Sequence, residues 1–150
     1  MDCVKESEKF LRYWFKGFSN SLSKIDEKNR QVLLGECGKA CSQSYSQGVY
    51  EEEYKKSKDL RDFLNRIKNR FRELEYEINN EENRVIIRYK YCTCDLARSK
   101  LIESPYLCDC SHMSLLYNWE RIIGEGKVSV EKRKTLLNGD DCCEFEVQLH

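Results

Sequence analysis

The chain has 150 residues, with 26 basic and 26 acidic side chains, nine cysteines and one proline. That length is one domain's worth, and with about a quarter of the residues Leu, Ile, Val or Phe, wholesale disorder is excluded. Zero formal net charge argues against a nucleic-acid or anionic-membrane partner, which calls for an excess of Lys and Arg.

The opening stretch, MDCVKESEKF, lacks the uninterrupted apolar run of a signal peptide. Elsewhere the apolar runs are short, such as Val32-Leu33-Leu34 and Val85-Ile86-Ile87, so no segment reads as a membrane span. The expected compartment is the cytoplasm. No linker rich in Pro, Gly or Ser divides residues 1–150, so a single domain is expected. Residues 1–75 read as mostly helical; residues 76–150 read as hairpin, helix and hairpin.

Phe10, Leu11, Trp14, Phe15 and Phe18 share one helical face, predicting a helix over 7–22. Asp26 is a plausible N-cap for a second helix that carries Val32, Leu33, Cys37 and Cys41 on one stripe. Leu60, Phe63, Leu64, Ile67, Phe71 and Leu74 repeat over four turns and predict a third. The run Glu51-Glu52-Glu53 reads as a helix's first turn, where negative charge meets the positive dipole end. Leu74 to Ile78 alternates, residues 79–83 form a polar turn, and Arg84 to Tyr91 is rich in β-branched and aromatic residues, which together predict a hairpin. Ser111 can cap a helix containing Leu115, Leu116, Trp119, Ile122 and Ile123 that stops at Gly124. Val128 to Leu137, the turn Asn138-Gly139-Asp140 and the alternation Cys143, Phe145, Val147, Leu149 predict a second hairpin. The expected fold is α+β: an antiparallel sheet of about four strands with helices packed on one face.

Eight cysteines come in pairs. Cys37 and Cys41 lie one turn apart on a helix. Cys92-x-Cys94 and Cys108-x-Cys110 each put two sulfurs on one side of an extended chain, separated by 13 residues. Cys142 and Cys143 are adjacent, so a strand sends them to opposite faces. In a reducing compartment such density points to metal ligation or redox chemistry rather than disulfides, with buried unliganded thiols as the competing explanation. Zinc needs four sulfurs converging on one ion. The local set is Cys92, Cys94, Cys108 and Cys110, with Cys37 and Cys41 as the next choices, and six converging thiols are equally compatible with an iron–sulfur cluster. His112 is a further nitrogen donor, although a lone histidine is more often a core or solvated residue.

No Ser-His-Asp or Cys-His-Asn set can be assembled, because His112 and His150 are the only histidines. The enzymatic alternative is a cysteine-dependent hydrolase or thiol-redox enzyme with Cys110, at a helix start, as the activated nucleophile. A third alternative is a metal-free dimeric interaction module, with Tyr45, Tyr50, Tyr54 and Tyr117 marking the surface.

Several motifs together carry a family resemblance: Cys37-Gly38-Lys39-Ala40-Cys41, Cys92-Thr93-Cys94, Cys108-Asp109-Cys110-Ser111, and Cys143-Glu144-Phe145 after the Asn138-Gly139 turn. Over roughly residues 30–149 the chain resembles a group of uncharacterised bacterial and archaeal cysteine-rich proteins. That group is related to the 4-vinyl reductase-type small-molecule-binding domain and, loosely, to thiazoline carboxylate hydrolases. The resemblance implies an α+β fold with cysteines clustered around a zinc or a small-molecule pocket. It departs at Met113 and Ser114, where the family pattern has a glycine and an aromatic residue. The expectation is a cytoplasmic domain with a thiolate zinc site and an adjacent small-molecule pocket.

Overall fold

The computed structural model describes residues 2–150. Six helices and four strands follow in the order α1 (Cys3–Leu22), α2 (Glu27–Ser44), α3 (Ser46–Lys56), α4 (Leu60–Arg70), β1 (Leu74–Asn79), β2 (Arg84–Tyr89), α5 (Asp95–Arg98), α6 (Cys108–Ile123), β3 (Val128–Lys134) and β4 (Cys143–Leu149). The architecture is α+β, as the alternation and periodicity predict.

The strands form one antiparallel sheet in the order β1-β2-β4-β3. Leu74 opposite Tyr89, Ile78 opposite Val85 and Ile87 opposite Phe145 all face the helices. They meet Phe63, Leu64 and Ile67 of α4 and Leu115 and Trp119 of α6 in a continuous core. The other sheet face is a lattice of charge. Arg88 donates to Glu144 at 2.6 Å and to Glu77 at 3.0 Å, and Arg84 donates to Glu146 at 3.3 Å. Cross-strand pairing of opposite charges is what the polar half of the alternation provides for.

Asp26 caps α2 by accepting from the Asn29 amide at 2.8 Å, and Asp59 caps α4 by accepting from the Asp62 amide at 2.8 Å. The third predicted helix stops at Arg70, short of Leu74. Phe71 and Leu74 continue the helical spacing, but Leu74 is the first residue of β1, where its side chain is buried against the same core.

Two expectations need correction. Glu51-Glu52-Glu53 is not a first turn: α3 begins at Ser46, so the run lies in its later turns. There it ties helices together, Glu53 accepting from Arg70 at 2.8 Å and Glu51 from Arg121 at 2.9 Å. Ser111 is not a cap either. Ser104 accepts from the Tyr106 amide at 3.4 Å, Pro105 opens a single 3-10 turn, and α6 follows from Cys108. Proline's fixed φ suits that first position, so helical winding starts several residues earlier than the serine signal suggests.

Helix α1 stands apart. Its last turn is held by Arg30, which donates to the Leu22 and Ile25 carbonyls at 2.9 and 3.2 Å. Of its apolar stripe only Leu22 is buried; Phe10 and Trp14 remain 63% and 54% exposed. Among the described residues no helix is long and apolar enough to cross a membrane.

Candidate functional site

The close packing of α2 on α6 begins at Gly38. A β-carbon there would stand 2.5 Å from the Cys110 carbonyl oxygen and 2.9 Å from the Ser114 amide nitrogen. Only glycine lets the two backbones approach so closely. Cys37 and Cys41, on either side of Gly38, are thereby carried to the edge of the α6 segment that holds Cys110.

Next to this crossing is a cavity of about 490 Å³, within the range of small-molecule sites. Seven of the nine cysteines line it: Cys37, Cys41, Cys92, Cys94, Cys108, Cys110 and Cys143. All six cysteines singled out from the sequence are among them. Cys3 and Cys142 are not, and of the adjacent pair 142 and 143 only one faces the cavity. Six aromatic rings, Tyr45, Tyr50, Phe71, Tyr89, Tyr91 and Phe145, and five leucines complete most of the wall.

The sulfurs are not arranged as the spacing suggests. Cys108 and Cys110 sit in the first turn of α6 rather than on an extended chain. Two positions on a helix differ by about 200° of rotation, so one pair cannot aim two sulfurs at one point. Cys108 hydrogen-bonds Thr135 and neighbours Cys143 and Cys92. Cys110 neighbours Cys41, Cys37, Cys94 and Cys108. Cys110 thus has Cys108 of its own helix, the α2 pair and a cysteine of the 92–94 loop near it, while Cys108 also has Cys143 of β4. Among the described residues no group of three or more Cys, His, Asp and Glu side chains is placed to hold a metal ion. His112 lies away from the sulfurs: its Nε2–H donates to the Val130 carbonyl, and its ring stacks near Phe145, with centroids 6.4 Å apart.

The chemistry of the wall follows from burial. Burial pushes the Cys110 thiol up to about 12, and the neighbouring Cys41, Cys37 and Cys94 add to the shift. Burial likewise raises Cys108 to about 11, although its bond with Thr135 opposes the change. Cys143 is raised for the same reason, against the pull of the Leu136 amide, which donates to its Sγ at 3.4 Å. Cys41 is exposed at the cavity's edge, yet partial burial and the nearby Cys94 still raise its thiol. A helix N-terminus alone would lower the Cys110 thiol. Here desolvation wins, and at neutral pH these sulfurs are protonated, soft and weakly polar.

Sequence reasoning missed three contributors. Asn118 of α6 accepts from Ser42 of α2 and donates to Ser46 of α3 at 2.9 Å, joining three helices behind the cavity. Tyr89 carries the strand side of the wall, its hydroxyl pKa raised by burial. Glu73, between α4 and β1, is only 8% exposed and opens into the cavity. Nothing in the sequence distinguishes Glu73 from the other acids.

No family model matches the sequence, and no curated protein does. Among solved structures, the chain is similar to subunit 3 of a trafficking protein particle complex from Naegleria fowleri, determined covalently bound to palmitic acid. The identity is 16%, the alignment covers 97% of this chain and 96% of that one, and the TM-score is 0.49.

Proposed function

We propose that this chain is a small-molecule-binding domain whose ligand occupies the cysteine-lined cavity. The observation that carries the proposal is that one 490 Å³ space gathers seven cysteines and six aromatic rings from three helices, two strands and their flanking loops. Neutral thiols and rings offer a ligand dispersion contacts, while Ser111, Ser114 and Asn118 supply a few hydrogen-bonding groups. The resemblance to the 4-vinyl reductase-type binding domain points the same way. Within this reading, the corner formed by Cys37, Cys41, Cys94 and Cys110 is the place for a zinc, reached by rotating the thiols toward a common centre. The test is saturable binding of an apolar fluorophore to the native chain at one per molecule. Ser111→Trp, which fills the cavity, abolishes it; binding that Ser111→Trp leaves intact would refute the assignment. Metal analysis of anaerobically purified protein decides the zinc corner, about one zinc per chain being the expected result and none the contrary one.

A second reading concerns assembly, and α1 favours it. Of the tyrosines expected to mark a dimer surface, Tyr50 is buried and Tyr117 half-buried, whereas Tyr45 and Tyr54 are exposed while packing edge-on against Phe71 and Phe63. A further unpartnered apolar surface lies on α1. Val4, Leu11 and Phe18 recur every seven residues with Trp14 between them, the spacing of a helix that pairs with a similar helix. Phe10, Tyr13 and Trp14, each more than half exposed, leave roughly 300–450 Å² of ring surface uncovered, a large share of the roughly 800 Å² per partner in a stable interface. The occupant proposed is α1 of a second copy. Sedimentation of the native chain as a dimer, and of Leu11→Asp/Phe18→Asp as a folded monomer, is the expected result; a native monomer at all concentrations contradicts it.

A further inference from the structure

The cavity's charge is one-sided. No Lys, Arg or His lines it, and its only ionisable carboxylates are Glu73 and Asp95. Asp95 is exposed at the start of α5. Glu73 is 92% withdrawn from solvent, the complement of its 8% exposure. Its backbone is engaged, the Lys90 amide donating to its carbonyl at 2.9 Å, but among the described residues its carboxylate has neither an ion-pair nor a hydrogen-bond partner. Elsewhere in the molecule the comparably buried acid, Glu53, has two arginines, Arg70 and Arg66, at 2.8 and 3.6 Å. The carboxylate oxygens stay open to the cavity and meet no cation there, which leaves a place for one on a ligand.

The wall of the same cavity includes Tyr45, Tyr50, Phe71, Tyr89 and Tyr91. Tyr45 and Phe71 meet edge to face with centroids 6.0 Å apart, and Tyr50 and Phe71 are 6.3 Å apart. Rings grouped about a carboxylate present negative faces and a negative charge to one volume, which is how organic ammonium ions are recognised. Resting on the binding role proposed for this cavity, we infer that its ligand is an organic cation, an amine or quaternary ammonium on an apolar body, with the cationic head at Glu73. Anionic ligands such as free carboxylates and phosphates find no positive partner there.

The experiment compares three probes of similar shape by titration calorimetry on the full chain: phenethyltrimethylammonium, its uncharged all-carbon isostere, and 3-phenylpropionate. The cation binds at least about tenfold more tightly than the isostere, and the acid does not bind detectably. Glu73→Gln removes the preference for the cation and keeps the isostere's affinity. Because substitution at a buried site risks the fold, Tyr91→Leu at the exposed rim serves as the second variant. It weakens the cation several-fold more than the isostere. Equal affinity of cation and isostere for the native chain, or a cation preference surviving both variants, overturns the inference while the cavity remains a binding site. Failure of all three probes overturns it together with the binding role itself.

Discussion

Gly38 of α2 and Cys110 of α6 touch through backbone, with room for no β-carbon between them, since one at position 38 would meet the Cys110 carbonyl oxygen at 2.5 Å. The contact fixes how α2 crosses α6 and hence where Cys37 and Cys41 stand relative to Cys110. Gly38→Ala must push the helices apart, at a cost of about 1–3 kcal/mol. Urea unfolding under reducing conditions is expected to show that loss, together with faster labelling of Cys110 by a thiol reagent. An unchanged midpoint with unchanged labelling would mean that the crossing is not held by this contact.

Alkaline pH should weaken the fold through the thiols. An unfolded cysteine titrates near about 8.5, whereas folded Cys108 and Cys110 are pushed up to about 11 and about 12. A raised folded value means that the stability these neutral thiols contribute is fully present below the unfolded pKa. It is lost as pH rises toward the folded values. Tyr50, raised by burial, adds to the same trend. Denaturation midpoints of the metal-free chain, measured from pH 7 to pH 10.5 in reductant, should fall, and those of metal-free Cys110→Ser should fall less steeply. A flat profile for the native chain contradicts this.

The outer sheet face predicts the opposite dependence at acid pH. Burial by itself would raise Glu146, but hydrogen bonds from Arg84 and Arg133 outweigh it and hold the carboxylate below its ordinary value. A depressed value gives stability that is present above the unfolded pKa and disappears as pH falls through the folded one. Glu146→Gln should therefore lower stability at pH 7 and narrow its difference from the native chain below about pH 4. A gap that stays constant with pH would show that the arginines do not act through this charge.

Glu53 ties α3 to α4 through Arg70 and Arg66 and is almost fully buried. Glu53→Gln removes the buried counter-charge that the two arginines share, leaving Arg66 with Asp62 at 3.2 Å and Arg70 with Glu52 at 3.5 Å, and is expected to cost about 1–3 kcal/mol by chemical denaturation. A loss below a few tenths of a kcal/mol would place the pair with ordinary surface ion pairs.

Much of the fold is legible in the sequence because its signals are local and agree with one another. Asp26 caps a helix, residues 74–78 alternate as a strand must, and Gly124 and Gly139 adopt the positive φ angles that end α6 and turn the chain before β4. Failures occur where a nearer signal competes. Ser111 has the form of a cap, but Ser104-Pro105 starts the helical winding first, and this turns Cys108-x-Cys110 from an extended pair into two diverging helical positions. Phe71 and Leu74 keep helical spacing because strand and helix deliver them to the same core. Cys37 and Cys41 are placed on one helix face by periodicity alone, yet their meeting with Cys110 depends on Gly38, a packing contact 72 residues away in the chain. Glu73 is invisible in sequence because only tertiary burial separates it from Glu75 and Glu77, which pair with Lys90 and Arg88 at the surface.

The most direct test of the binding role is to locate a bound probe by nuclear magnetic resonance, following leucine methyl signals as phenethyltrimethylammonium or its neutral isostere is added. The account predicts that Leu107, Leu115 and Leu136, which line the cavity, shift and saturate at one ligand per chain. Leu22 and Leu64, buried elsewhere, should remain still. Shifts confined to Leu11 on the exposed face of α1, or no saturable shift with either probe, would contradict it.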